Sequence, residues 1–127
     1  MRYLLDTQIL IWLFIDPQKI PTKVMQILKN MDNDIFVSNA SIWEIAIKTS
    51  IRKLILPFEL KNIVKEISEM SIIILDITSE HLIKVADLPF HHKDPFDRLI
   101  ISQALLENIP LISADINFKQ YDVNLIW

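Results

Sequence analysis

The chain has no cysteine and no glycine, and neither sign of charge dominates it. Without cysteine there are no disulfides, thiolate zinc sites or cysteine nucleophiles, so any chemistry rests on oxygen and nitrogen groups; a cytoplasmic setting is compatible with this. Without glycine there is neither a P-loop nor a dinucleotide fingerprint. The left-handed turns that glycine usually supplies fall to Asn33, Asn108, Asn117 and to aspartates, with proline shaping Asp16-Pro17, Leu56-Pro57 and Ile109-Pro110. A formal net charge of −3 lacks the basic excess of a protein that binds nucleic acid by electrostatics alone, so nucleic-acid binding would need cations. Long apolar runs are also missing: Ile9 to Ile15 falls well short of the roughly 20 residues that span a bilayer. Asp6 comes too early for the apolar run of a signal peptide, and no membrane association is expected.

What is present is ample core material. With 127 residues, 51% of them hydrophobic, the chain suits one domain, 1–127, around one core. Periodicity predicts a strand at 2–5, helices at 7 to about 14 and 21–31, and a strand at 35–37 leading to a helix at about 40–49. Helical spacing follows at 58–70, then a strand at 72–75, a short helix at 79–87, and a helix opening at Asp94-Pro95 and running to about Glu107. Residues 111–113 form a fourth strand, and 123–127 can add a fifth. Such alternation predicts an α/β fold: a mostly parallel central sheet of about 4–5 strands with helices on both faces.

In open α/β sheets, sites form at the carboxyl ends of the strands. Asp6 follows the first strand and Asp115 the fourth; Glu44 lies one turn into the helix after the second strand, and Asp94 and Asp97 lie in the first turn of the helix at Pro95. Each has a local explanation. Asp6 can cap the helix at Thr7, Asp94 the helix at Pro95, and Asp115 a short turn at 116–118; Asp97 suits the positive end of its helix. Glu44 completes a Ser41-x-x-Glu44 capping-box pattern and stands four residues before Lys48, an ion-pair spacing. Only their convergence argues for function. Carboxylates about 5 Å apart repel by about 3 kcal/mol per pair at an effective dielectric of 20, so such a cluster calls for a hard cation such as Mg²⁺ or Mn²⁺.

Leu4-Leu5-Asp6-Thr7, the stretch Val37 to Lys48, His91 to Ile100 and Leu111-Ile112-Ser113-Ala114-Asp115 resemble, in order, the successive motifs of PIN-domain toxins of the VapC type. The resemblance covers nearly the whole chain. It implies a single PIN-like domain with metal-dependent ribonuclease activity, the toxin of a toxin–antitoxin pair. It also implies a cognate antitoxin whose C-terminal segment occupies the active-site groove, and usually a homodimer. The acids that match the family's metal site are Asp6, Glu44, Asp97 and Asp115; Asp94 matches an extra acid of a subgroup, and Thr7 a hydroxyl beside the first acid. One departure is Ile51-Arg52-Lys53-Leu54, where related sequences usually carry glycine before the Lys-Leu pair.

These residues suggest phosphodiester hydrolysis, with Asp6, Asp97 and Asp115 binding one or two Mg²⁺ ions and Glu44 orienting or deprotonating water. Asp94 stays open between helix cap and ligand. Arg98, Lys48, Arg52, Lys53 and Lys93 are candidates for contact with the RNA backbone. His91 and His92 suit a loop and His81 a helix surface, while Trp12, Trp43 and Trp127 suit core or interface. A phosphatase of the haloacid dehalogenase type also places Asp after its first strand, but it needs an acid two positions later, and here that position is Gln8. A catalytically silent binding or scaffold domain of the same fold is the alternative from another class.

Overall fold

The computed structural model describes residues 1–127. The elements run β1 (Arg2–Leu5), α1 (Thr7–Ile15), α2 (Thr22–Lys29), β2 (Asp34–Ser38), α3 (Asn39–Ser50), α4 (Ile63–Glu69), β3 (Ile72–Leu75), α5 (Ser79–Asp87), α6 (Pro95–Glu107), β4 (Leu111–Ile112) and β5 (Leu125–Ile126). All strand pairs are parallel, in the order β3-β2-β1-β4-β5, so the expected mostly parallel sheet is parallel throughout. Every crossover then requires a helix or loop over one face. The sheet order reverses between β1 and β4, and their carboxyl ends open a crevice at that switch point.

Alternation along β1 sorts side chains between two cores. Tyr3 and Leu5 face a cluster with Ile9, Leu10, Val24, Ile35, Val37, Ile63 and Ile67, which gathers α1, α2 and α4. Leu4 faces the opposite side, with Leu99, Ile100, Ala104 and Phe118 beneath α6. Ile112 and Leu111 divide in the same way, so both central strands are buried on both faces, as a parallel sheet demands. No helix is long and apolar enough to cross a membrane.

Two expectations are corrected. The 58–70 segment is helical only from Ile63, after a 3-10 turn at Leu60–Asn62, because Phe58 and Leu60 turn back to pack on the core. α3 starts where expected: Asn39 is its first helical residue, and its cap is Ser38, whose side chain accepts from the Ala40 N–H. Left-handed backbone occurs at Arg52, Ser71 and Asn108, and not at Asn33 or Asn117. Asn108 terminates α6, as an αL asparagine can. Arg52 (φ 59°) lies just before the Lys53-Leu54 pair, so this chain holds a Cβ in a conformation that disfavours it by roughly 1 kcal/mol.

Candidate metal centre

Asp6 sits where β1 ends and α1 begins, and it is 7% exposed. Its Oδ1 accepts from the Thr7 N–H at 2.8 Å and its Oδ2 from the Ser113 hydroxyl at 2.9 Å. Ser113 also accepts from the Asp115 N–H at 3.0 Å, so one buried hydroxyl ties the acid after β1 to the acid after β4. Sequence reasoning passed over Ser113 as an ordinary strand residue. Its signal was its place between a buried strand and an acid two residues on.

Asp6, Glu44, Asp94, Asp97 and Asp115 line one open cavity of about 410 Å³, with Thr7, Gln8, Lys48 and Ala114. The predicted cluster therefore forms. Glu44 does not close a capping box: Ser41 lies inside α3, with its hydroxyl 2.8 Å from that of Thr7. Glu44 projects into the cavity, where Oε2 pairs with Lys48 Nζ at 2.9 Å and Oε1 is buried with no protein partner. Asp94 caps α6, accepting from the N–H groups of Phe96 and Asp97 at 2.8 and 3.1 Å, and lines the cavity too. Asp115 caps the 3-10 turn that follows it through the Asn117 N–H at 2.9 Å.

The electrostatics follow from this crowding. Burial pushes Asp6 up to about 6, against the lowering effect of its two hydrogen bonds, with Glu44 and Asp115 adding repulsion. Burial pushes Asp97 up to about 8, reinforced by repulsion from Asp6, Asp94, Glu44 and Asp115. Carboxyls held this reluctant to ionise, beside a buried carboxylate oxygen that nothing satisfies, fit a hard divalent cation with oxygen ligands.

One residue joins the centre unforeseen. His92 was read as a loop residue, yet its Nε2 lies 3.2 Å from both Asp97 Oδ2 and Asp115 Oδ2. Its neighbour His91 packs instead against the Tyr121 ring. No spacing rule could separate these adjacent histidines, because loop geometry alone chooses between them.

Arg98 requires the opposite correction. It is 5% exposed, and its guanidinium donates to the carbonyls of Pro89 (2.9 Å), Val85 (3.0 Å) and Leu88 (3.3 Å). With its donors spent on the loop after α5 and its plane over Phe90, it is a fastener of that loop and is not free to meet RNA. His81 is likewise buried at 2% exposure, completing the cap of α5 with Thr78 and meeting Glu107 Oε1 at 3.0 Å, so it is no surface residue. Trp12 and Trp127 pack against each other; Trp43 is exposed and touches Phe96 edge-on. Lys48 and Lys53 line a groove with Lys19 that meets the acidic cavity at Gln8 and Lys48.

Comparison with known proteins agrees with this fold. The family model described as PIN domain matches residues 3–124. The chain belongs to the PIN-domain family. Among solved structures, it resembles a chain of VapBC2 from Rickettsia felis, crystallised bound to a promoter DNA fragment. The TM-score is 0.71 at 23% identity, covering 99% of this chain and 98% of that one. It also resembles a chain of DNA-bound VapBC from Salmonella typhimurium, with a TM-score of 0.75 at 14% identity over 99% and 97% of the two chains. A third likeness is to a toxin-antitoxin complex from Klebsiella pneumoniae, with a TM-score of 0.63 at 19% identity over 98% and 96%. At these identities the likeness establishes a shared PIN fold along the full length of each chain. No curated sequence matches the chain significantly.

Proposed function

We propose that this PIN domain is a divalent-metal-dependent endoribonuclease and the toxin of a toxin–antitoxin pair. The observation that carries the reading is the convergence of five carboxyl groups, from four separate segments, on one open cavity at the sheet's switch point. Asp6, Asp97 and Asp115 would hold Mg²⁺ or Mn²⁺, with Asp94 as a further oxygen donor. When bound, such a cation supplies charge neutralisation for a phosphodiester and a lowered pKa for water.

The chain's own residues do the rest. Glu44 Oε1, buried and unpartnered, orients the attacking water and receives its proton, while Lys48 holds the other oxygen of Glu44 in place. Lys48 also brings positive charge to the cavity rim, where a phosphate would enter. Asp94 fixes the first turn of α6 and so the aim of Asp97. Thr7 acts through its hydroxyl contact with Ser41, locking α1 against α3 behind Asp6 and Glu44.

The toxin reading is supported by the PIN-family match together with the VapBC and toxin-antitoxin complexes that share the fold. It entails a cognate antitoxin that covers the cavity, a homodimer, and action on RNA in the cytoplasm. The test is incubation of purified protein with a pool of cellular RNA, with Mg²⁺ or Mn²⁺ and with chelator, followed by mapping of the cut ends. Metal-dependent cuts that vanish in Asp6→Asn are expected. Absence of cuts in any RNA would favour a silent scaffold domain, and full activity in Asp6→Asn would remove Asp6 from the centre. A stable monomer by sedimentation at micromolar concentration would overturn the homodimer.

A further inference from the structure

We infer that His92 is a positioning residue of the acidic centre: its ring N–H holds the Asp115 carboxylate beside Asp97, and it is not itself a ligand of the cation. The inference rests on the reading of these acids as a cation site, and it is about what the protein does to them.

The ring is held from several sides. The His92 backbone N–H donates to the Tyr121 hydroxyl at 2.9 Å, and the ring packs on Phe118 with centroids 5.4 Å apart. The Asp94 N–H donates to Nδ1 at 3.3 Å. A ring nitrogen that accepts an amide proton offers its lone pair and carries no proton, so in the neutral ring the proton sits on Nε2. That proton is aimed at Asp115 Oδ2, 3.2 Å away, while Asp97 Oδ2 lies at the same distance from Nε2 without a hydrogen bond to it.

The same wiring excludes ligation. A histidine that binds metal through one nitrogen ordinarily donates its other N–H to a carbonyl, carboxylate or water. Here the other nitrogen faces a donor. For Nε2 to bind a cation, Nδ1 would have to gain a proton and meet the Asp94 N–H head-on. The three side chains lie close enough to suggest a His-Asp-Asp metal site, but the direction of the hydrogen bonds assigns the imidazole to the Asp115 carboxylate.

The clamp has work to do. Asp97 comes from the first turn of α6, and Asp115 from the segment beyond β4. When both ionise, like charges would splay them, and a donor fixed on Asp115 sets that carboxylate's place beside Asp97 and leaves oxygen lone pairs for a cation. Loss of a group that orients metal ligands in this way typically lowers metal affinity about 10–100-fold.

The first experiment uses ¹⁵N-labelled, metal-free wild-type protein and reads the His92 tautomer from imidazole ¹⁵N–¹H correlations. A proton on Nε2 alone is expected, and a proton on Nδ1, alone or with Nε2, would overturn the clamp. This arm needs neither metal nor activity, so it judges the clamp even if no cation binds, a result that would instead overturn the cation site. The second arm is Mn²⁺ titration followed by electron paramagnetic resonance. His92→Ala should bind about 10–100-fold more weakly, and His92→Gln, whose side-chain amide can still donate, should recover most of the affinity. Unchanged affinity in His92→Ala, or a directly coordinated histidine nitrogen in the pulsed spectrum of wild type, would overturn the assignment. Equal losses in the Ala and Gln variants would also overturn it, since only the donor distinguishes them.

Discussion

Asp97 and Arg98 are neighbours on α6, both withdrawn from water, and the chain treats them in opposite ways. Arg98 is surrounded by carbonyl oxygens that satisfy its donors, and no carboxylate is needed to hold it. Asp97 is surrounded by other acids, and its carboxyl is pushed up to about 8 by burial and then by that repulsion. A satisfied buried charge is structure, because removing it leaves orphaned partners. An unsatisfied one is retained against stability, and that is the mark of a site that awaits something.

The largest effect expected from breaking this contrast is on catalysis. Asp97→Asn should lower metal-dependent RNA cleavage at least about 10³-fold, several kcal/mol of lost charge stabilisation, measured as initial rates with Mg²⁺. The same variant should raise the stability of the metal-free protein by roughly 2 kcal/mol, since the reluctant acid is gone. Arg98→Met should act in the reverse sense. Its loss leaves buried carbonyls unpaired and should lower stability by about 3 kcal/mol in chemical denaturation. If both variants shift stability in the same direction, the contrast fails.

Acidity sharpens the same point. For Asp6 and Asp97 the folded chain keeps its proton to higher pH than the unfolded chain, so their contribution is least unfavourable below about pH 4. It worsens as pH rises, through about 6 for Asp6 and about 8 for Asp97, as the unfolded chain ionises first. Metal-free protein in chelator should therefore lose stability between pH 4 and pH 8 relative to Asp6→Asn/Asp97→Asn, as thermal melts would show. Adding Mg²⁺ at 100 times its Kd should restore about 2.7 kcal/mol at pH 8. A melt unmoved by either pH or Mg²⁺ would contradict the cluster's electrostatics.

The smallest effect concerns a third charged residue, whose difficulty lies in its backbone. Arg52→Gly should raise stability by up to about 1 kcal/mol, because glycine accepts φ 59° without penalty. A destabilisation would mean that the Arg52 side chain contributes more than its backbone costs.

The sequence made most of this legible wherever a pattern was local. Strand ends placed Asp6 and Asp115, and Asp94-Pro95 announced the start of α6, because caps and strand periodicity depend on near neighbours. The Ser41-x-x-Glu44 pattern misled because Ser38, three residues earlier, takes the cap and frees Glu44 for the cavity. Arg98, His81 and His92 were misjudged for one reason. Their partners come from segments whose approach depends on packing, such as the loop after α5, Glu107 and Asp115. Charge and polarity alone do not say whether a side chain will find carbonyls or open water.

The middle place of β1 in the sheet bears on the order in which a ribosome would deliver this protein. Asp6 and Glu44 emerge early, but the cavity they line stays unwalled until α6 and β4 arrive, and Ser113 can join Asp6 to Asp115 only once residue 115 has been made. Domains fold as units during synthesis. On the proposed activity, a chain translated short of Asp115 carries no working blade, so the early elements can emerge without exposing the cell to a nuclease.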